Sequence, residues 1–109
     1  MTPPAAGVSV IVPTHRGRQR LPRLLESLET QTLNPSQWEV IFVPNGQDDG
    51  SRELLEDWIS ATNADARVIS LPRSGASRAR NAGLANARRE TITFVDDDDW
   101  LQPRFLEAV

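Results

Sequence analysis

Short apolar segments alternate along the chain with longer stretches in which apolar residues recur every three or four positions. Short apolar runs predict buried strands, and recurrence at helical spacing predicts the helices that cover them. Four strands are predicted in this way, at residues 8–12, 40–43, 68–71 and 91–95. Strands that alternate with helices are typical of an α/β protein with a parallel sheet covered on both faces.

Three helices are predicted between the strands. The first has Pro22 in its first turn and ends near Gln31, and its buried face is Leu21, Leu24, Leu25 and Leu28. The buried face of the second is Leu54, Leu55, Trp58 and Ile59. The third, at residues 76–87, is rich in alanine and glycine, so its backbone is expected to lie close to the sheet.

Right-handed crossovers and short connections favour a doubly wound topology for these elements. Such sheets bind ligands beyond the carboxyl ends of their strands, where the winding direction reverses. The chemically unusual segments of this chain all follow strands, at residues 13–16, 44–46, 72–75 and 96–99. We therefore expect the ligand site to lie at that edge of the sheet.

Composition narrows the chemistry that is available there. The chain has 109 residues, 39% of them apolar and 25% charged, with a net charge of -3, which suits one small globular domain and argues against a polyanion binder or a polybasic membrane anchor. Because there is no cysteine and His15 is the one histidine, a metal has to be held mainly by oxygen ligands. The longest apolar run is too short to cross a bilayer, and nothing argues for export.

The four aspartates at residues 96–99 directly follow the last predicted strand. Neighbouring carboxylates repel each other by about 1 kcal/mol in water, so a counter-charge is expected. In extended geometry Asp96 and Asp98 point to one side, where they suit Mg²⁺ or Mn²⁺, and Asp97 points to the other, where it can meet a ribose hydroxyl. The alternative is a solvated turn that caps the helix expected near Pro103.

A second polar segment enters the third helix, whose first turns carry Arg78 and Arg80. A helix N-terminus offers unpaired N–H groups and partial positive charge, which suit a phosphate. Arginines at that end are slightly unfavourable by themselves, so a bound anion would offset them. The alternative is that both side chains lie on a solvated face.

The loops after the first two strands contain further candidates. Pro13 and Thr14 form a rigid strand end with exposed backbone groups, which suits a flat base. Asn45 either hydrogen-bonds a base edge or forms a simple turn with Gly46. His15 has no second histidine to pair with, so we interpret it as a surface loop residue rather than as a metal ligand or general base.

Residues 8–15, 45–51, 79–84 and 94–99, in this order and at this spacing, resemble the N-terminal half of the family 2 inverting glycosyltransferases. The resemblance implies a GT-A fold, a Rossmann-like, mostly parallel sheet that is incomplete in this chain. It also implies an Asp-x-Asp motif at Asp96, Asp97 and Asp98, with Asp98 as the direct metal ligand and the preceding carboxylates near the ribose and diphosphate.

Other matches follow from the same resemblance. Pro13 and Thr14 correspond to the segment that lines the nucleotide base. Arg80 and Asn81 correspond to a pair in the third helix that lies near the donor. Asn45 stands where the family commonly has an aspartate that recognises the base, so the resemblance leaves the identity of the base open.

The resemblance implies transfer of a sugar from a nucleotide-diphosphate sugar to an acceptor hydroxyl, with inversion and with Mg²⁺ or Mn²⁺. The acceptor is expected to be a glycan or a lipid-linked saccharide of polysaccharide biosynthesis. The location is expected to be cytoplasmic, including a peripheral position at the inner face of the membrane. The catalytic base is expected downstream of this chain, so residues 1–109 would be a truncated nucleotide-sugar-binding domain that supplies donor and metal binding.

Two other interpretations stay open. One is a non-catalytic nucleotide-binding or assembly module with the same fold. The weaker one is a nucleotidyltransferase, for which the glycine- and lysine-rich loop is missing. The expected strand order of three, two, one, four also leaves the fourth strand at an open edge, and exposed edges invite pairing with another chain. Self-association through that edge is therefore expected.

Overall fold

The structure, a computed structural model, describes residues 5–109 and contains one four-stranded sheet. The strands are β1 (Ala5–Thr14), β2 (Trp38–Pro44), β3 (Ala66–Val68) and β4 (Arg89–Phe94). They lie in the order β3-β2-β1-β4, with every neighbouring pair parallel. The helices are α1 (Leu21–Glu29), α2 (Ser51–Ala61), α3 (Ala76–Asn86) and α4 (Phe105–Ala108), and a 3-10 helix (Pro35–Gln37) precedes β2. The predicted α/β class, parallel sheet and strand order are confirmed.

The third strand differs from the prediction, because it occupies residues 66–68 rather than 68–71. The N–H of Val40 donates to residue 65 and the N–H of Gly46 donates to Leu71. Pro44 lies in β2 between Val40 and Gly46. An N–H group at this position would donate another hydrogen bond of the same ladder, but proline has no N–H to donate. The regular ladder therefore ends early, and a single bridge between Asn45 and Leu71 continues it.

The sheet packs against helices on both faces. On one face, β1 and β2 contribute Val8, Val10, Val12, Trp38, Val40 and Phe42 to a core that includes the leucines of α1 and Leu106 of α4. On the other face, Ile41 and Val43 pack against Ala79 of α3. A Cβ atom on Gly83 of α3 would lie 2.4 Å from Cγ2 of Ile11 in β1, so the close approach of this helix to the sheet is confirmed.

At the amino ends of the strands, Glu39 is a buried carboxylate with an exposed fraction of 1%. It accepts hydrogen bonds from the hydroxyl of Ser9 at 2.6 Å, the N–H of Arg88 at 2.6 Å, Nε of Arg88 at 3.1 Å and Nη2 of Arg67 at 3.0 Å. Burial by itself would raise the pKa of Glu39, but these bonds outweigh it and the pKa lies below its ordinary value. This network joins three strands and the segment that enters β4.

β4 lies at one edge of the sheet, as predicted, and Phe94 at its end is 45% exposed. Self-association through this edge stays a prediction. Among residues 5–109, no helix is both long enough and apolar enough to cross a membrane.

Candidate functional site

The carboxyl ends of β1 and β2, the start of α3 and the segment after β4 meet around a cavity of about 330 Å³, here called the α3 cavity. Arg20, which immediately precedes α1, also reaches its wall. Five of the residues predicted from the sequence line this cavity: Pro13, Thr14, Asn45, Arg80 and Asp96. The structure therefore brings together segments that are far apart in the sequence.

The remaining predicted residues lie outside the lining of the α3 cavity. Asn81 is exposed on α3, next to Arg80. Asp98 is exposed in the segment after β4, while the carboxylate of Asp97 is turned toward β1 and Arg20.

Residues 96–99, here called the Asp turn, do not have the extended geometry that was predicted. The N–H of Asp99 donates to the carbonyl of Asp96 at 3.1 Å, and the N–H of Asp96 donates to the carboxylate of Asp99 at 3.1 Å. Aspartate favours such turns because its side chain can hydrogen-bond nearby backbone groups. One carboxylate oxygen from each of Asp96, Asp98 and Asp99 lies within 4.8 Å of the other two. The predicted pair therefore does lie together, and Asp99, which was not singled out, joins it.

The donor set of the Asp turn fits a small divalent cation. All three groups are exposed carboxylates, and hard cations such as Mg²⁺ and Mn²⁺ prefer oxygen ligands. None of the ion pairs within residues 5–109 involves Asp96, Asp98 or Asp99. Their mutual repulsion, about 1 kcal/mol per pair in water, is thus not relieved by an arginine of the described chain. A bound cation would relieve it.

The carboxylate of Asp97 faces away from these three carboxylates. The sequence predicts that it is free to meet a ribose hydroxyl, but in the structure Arg20 and Thr14 already donate hydrogen bonds to it. Its Oδ1 accepts from Nε of Arg20 at 2.8 Å, and its Oδ2 accepts from Nη2 of Arg20 at 3.0 Å and from the hydroxyl of Thr14 at 2.7 Å. Burial by itself would raise the pKa of Asp97, but the hydrogen bonds from Arg20 and Thr14 outweigh it, so the pKa lies below its ordinary value. The contact between Asp97 and a ribose stays a prediction.

Asn45 is buried and its side-chain amide is used within the protein. Its Nδ2 donates to the carbonyls of Thr14 at 2.9 Å and Val43 at 3.2 Å, and its Oδ1 accepts from the N–H of Gly75 at 2.9 Å. Both amide hydrogens are therefore occupied, and only a lone pair of Oδ1 is left for a ligand. These bonds hold three loops together, while the contact with a base edge stays a prediction.

The loop after β1, which contains His15, also contacts Asn45. The Nδ1 atom of His15 lies 2.8 Å from the backbone oxygen of Asn45. His15 is exposed, as expected for a surface loop position. A Cβ atom on Gly46 would lie 2.8 Å from the imidazole ring, so glycine is needed there to let the two loops pack.

The start of α3 presents positive charge to the α3 cavity. The helix begins after Gly75, which provides no side-chain cap, so the first N–H groups remain available to an anion. Arg80 lines the cavity and Arg78 does not. Both side chains are exposed. Because only Arg80 lines the cavity, it is the candidate phosphate contact, and Arg78 lies on the solvated face.

A second cavity of about 280 Å³, here called the β3 cavity, lies beside the first and shares Thr14 and Asn45 with it. Its walls combine apolar surface from Pro44 and Leu71 with polar groups of the loop before α2. In that loop Asp49 accepts hydrogen bonds from both the backbone N–H and the hydroxyl of Ser51, the first residue of α2. Apolar surface combined with a few polar groups suits a nucleobase.

Sequence reasoning missed two residues that help to form the site, Arg20 and Asp99. Arg20 precedes the first leucine of α1, and nothing in its local pattern distinguishes it from Arg18 or Arg23. Asp99 was visible as the last member of the acidic run. Its place beside Asp96 and Asp98 depends on the turn of residues 96–99, which the apolar and polar pattern does not predict.

Comparisons with known proteins identify the family of the chain. The model of the family described as Glycosyl transferase family 2 matches residues 9–109. The chain is 40% identical over 102 residues to the uncharacterized glycosyltransferase EpsJ of Bacillus subtilis (strain 168), covering 94% of this chain and 29% of that protein. It is 33% identical over 104 residues to the glycosyltransferase GlyA of Streptococcus pneumoniae, covering 94% of this chain and 14% of that protein.

Among solved structures, the chain is similar to S. aureus TarS 1-349 in complex with UDP-GlcNAc, with a TM-score of 0.86 and 30% sequence identity. The match covers 94% of this chain and 29% of that one. This likeness confirms the predicted GT-A type of fold. The chain spans less than a third of the length of each of these relatives.

Proposed function

The chain belongs to glycosyl transferase family 2, and from that membership we propose that it binds the nucleotide-sugar donor and the metal of a sugar-transferring enzyme. The observation that carries the proposal is the α3 cavity, which has Asp96 on one wall and Arg80 on another. A metal-bound diphosphate needs walls of both charges, because the cation is held by carboxylates and the phosphates by arginine and backbone N–H groups.

The two cavities divide the donor between them. The proposed metal ligands are Asp96 and Asp98, with Asp99 as the third carboxylate of the cluster. The diphosphate lies between them and Arg80 at the start of α3, with Asn81 near the sugar. The base lies in the β3 cavity, against Thr14, while Pro13 of the same strand end lines the neighbouring α3 cavity.

Metal dependence and inversion are part of this proposal. Asp96, Asp98 and Asp99 would hold the divalent ion, and the ion would supply stabilisation of the negative charge on the leaving diphosphate. A general base has to lie within hydrogen-bond reach of the acceptor hydroxyl, and the proposal assigns no such base to the described residues. TarS is named a poly(ribitol-phosphate) beta-N-acetylglucosaminyltransferase. For this chain we propose a glycan or a lipid-linked saccharide as the acceptor, at a cytoplasmic or peripheral inner-membrane location.

Calorimetry with UDP and with GDP, each with and without Mn²⁺, tests donor binding. We expect binding that requires the metal and that is lost in Asp98→Ala. The matched control is Asp57→Ala, which removes the same side chain from an exposed position of α2 and should leave binding unchanged. Equal affinity of the Asp98→Ala variant and the unmodified chain would contradict the assignment of the site.

Turnover needs a separate assay, because the chain spans 29% or less of the relatives reported above. Release of free nucleoside diphosphate is measured in the presence of candidate acceptor saccharides. Release that depends on the acceptor supports the transferase. Little or no release is expected from these residues by themselves, because the proposal assigns no general base to them.

A further inference from the structure

We propose that Arg20 is a positioning residue of the metal site. Through Asp97 it holds the Asp turn in the conformation that brings the carboxylates of Asp96, Asp98 and Asp99 together. Arg20 itself has no contact with those three carboxylates within ion-pair distance. The inference rests on the proposed function only for the identity of the ligand, a divalent cation.

The contacts of Arg20 join three segments of the chain. Its guanidinium binds Asp97 through two parallel hydrogen bonds of 2.8 and 3.0 Å, and its Nη2 also donates to the carbonyl of His15 at 3.1 Å. Forked pairs of this kind restrict orientation as well as distance. Thr14 adds a third bond to the same carboxylate from the end of β1. Asp97 is thereby fixed to β1 and to the start of α1 at once.

The anchoring of Asp97 decides where its neighbours point. Asp96 and Asp98 adjoin it in the chain, and their carboxylates lie together while that of Asp97 is turned toward Arg20. The turn itself has two hydrogen bonds between Asp96 and Asp99, both of them exposed. Repulsion among the exposed carboxylates acts to open the turn. The contact with Arg20 opposes this opening.

The packing around this contact leaves little room for an alternative position of Asp97. A Cβ atom on Gly17 would lie 2.1 Å from Oγ1 of Thr14 and 2.4 Å from Oδ2 of Asp97. The backbone of Gly17 therefore closes over the pair of side chains, and the side chain of Asp97 is only 12% exposed. The side chain of Arg20 is 46% exposed, so its ion pair contributes modestly to the overall stability of the fold. Its effect is mainly on local geometry.

The direction in which cation affinity changes when Arg20 is removed distinguishes a positioning role from a purely electrostatic one. Arg20 carries a positive charge near a proposed cation site. By Coulomb's law alone, its removal should strengthen the binding of a divalent cation. Positioning predicts the opposite, because a turn that is not anchored has to be ordered again when the metal binds. A weaker site in the variant therefore cannot arise from charge removal.

The first test is Mn²⁺ binding to the 109-residue chain, followed by the electron paramagnetic resonance signal of free Mn²⁺. We expect Arg20→Gln to weaken binding about tenfold, the low end of the range for residues that orient metal ligands. Arg20→Lys should recover part of the loss. The control is Arg23→Gln, which removes the same charge from an exposed position of α1 and should change affinity less than about twofold. Unchanged or tighter binding in Arg20→Gln would overturn the proposal.

A second measurement on the metal-free chain keeps this inference separable from the proposed function. Amide hydrogen exchange by NMR should be faster at Asp96 and Asp99 in Arg20→Gln, and unchanged in β1 and α3. If the unmodified chain binds no Mn²⁺, the proposed metal site fails, and exchange still reports whether Arg20 orders the Asp turn. Equal exchange at these two amides in both proteins overturns the inference. If Arg20→Gln does not fold, the same comparison is made with Arg20→Lys.

Discussion

Carboxylates lie at both ends of the sheet, but the two groups have different surroundings. At the amino ends of the strands, Glu39 is buried and accepts hydrogen bonds from Ser9, Arg67 and Arg88. At the carboxyl ends, three carboxylates of the Asp turn are exposed and have no arginine partner among the described residues. A carboxylate whose charge is neutralised within the protein serves the fold. A cluster whose charge is not neutralised there is a candidate for ligand binding.

The four consecutive aspartates of the Asp turn show the same contrast among themselves. Asp97 resembles Glu39, because arginine and a hydroxyl group satisfy it and its pKa is lowered. Among residues 5–109, Asp96, Asp98 and Asp99 have no such partners. Residue type alone therefore does not distinguish a structural aspartate from a candidate metal ligand, while the contacts of each side chain do.

The largest expected effect on stability comes from Glu39→Ala. Removal of this carboxylate leaves Arg67 and Arg88 without their buried partner, and we expect the free energy of unfolding to fall by about 3 kcal/mol. Urea denaturation measures the change. The control Glu26→Ala removes an exposed carboxylate from α1 and should cost less than about 0.5 kcal/mol. A small loss in Glu39→Ala would mean that the amino-end carboxylate does not serve the fold.

The double variant Asp96→Asn and Asp98→Asn tests the other end of the sheet, and here the effect should have the opposite sign. In EDTA, where no metal is bound, removal of two charges relieves repulsion, so the free energy of unfolding should rise by up to about 1 kcal/mol. Added Mn²⁺ should stabilise the unmodified chain and leave the variant unchanged. Thermal unfolding followed by circular dichroism measures both effects. Destabilisation of the variant in EDTA would show that these carboxylates also serve the fold.

The smallest expected effect concerns the arginines at the two ends of the sheet. Arg67 and Arg88 are paired, whereas Arg80 at the carboxyl end faces the α3 cavity. Arg80→Gln should weaken the binding of UDP with Mn²⁺ several-fold, because an exposed charge contributes about 1 kcal/mol or less. Arg78→Gln removes the same charge nearby on α3 and should have no effect. Equal losses in the two variants, measured by calorimetry, would indicate a general effect of charge rather than a contact.

Most of the architecture could be predicted because it follows from local patterns. The spacing of apolar residues located β1, β2 and β4 and the helices between the strands, and the segments next to strand ends located the candidate site. The end of β3 could not be predicted, because it depends on Pro44 in a neighbouring strand. The contact between Arg20 and Asp97 could not be predicted either, since it joins residues 77 positions apart. The orientation of a side chain after a strand depends on packing of this long-range kind.

The lack of a side chain at Gly83 determines how far α3 lies from β1, and this spacing has a consequence at the ligand. Arg80 lies three residues before Gly83, about one helical turn nearer to the α3 cavity. A methyl group at position 83 would lie 2.4 Å from Cγ2 of the buried Ile11, so the Ile11 side chain or the helix would have to move. Displacement of a binding group by about 1 Å can cost about 100-fold in rate. The reach of Arg80 toward a phosphate is thus set by an atom that is missing from the interior, on the side of the helix that no ligand touches.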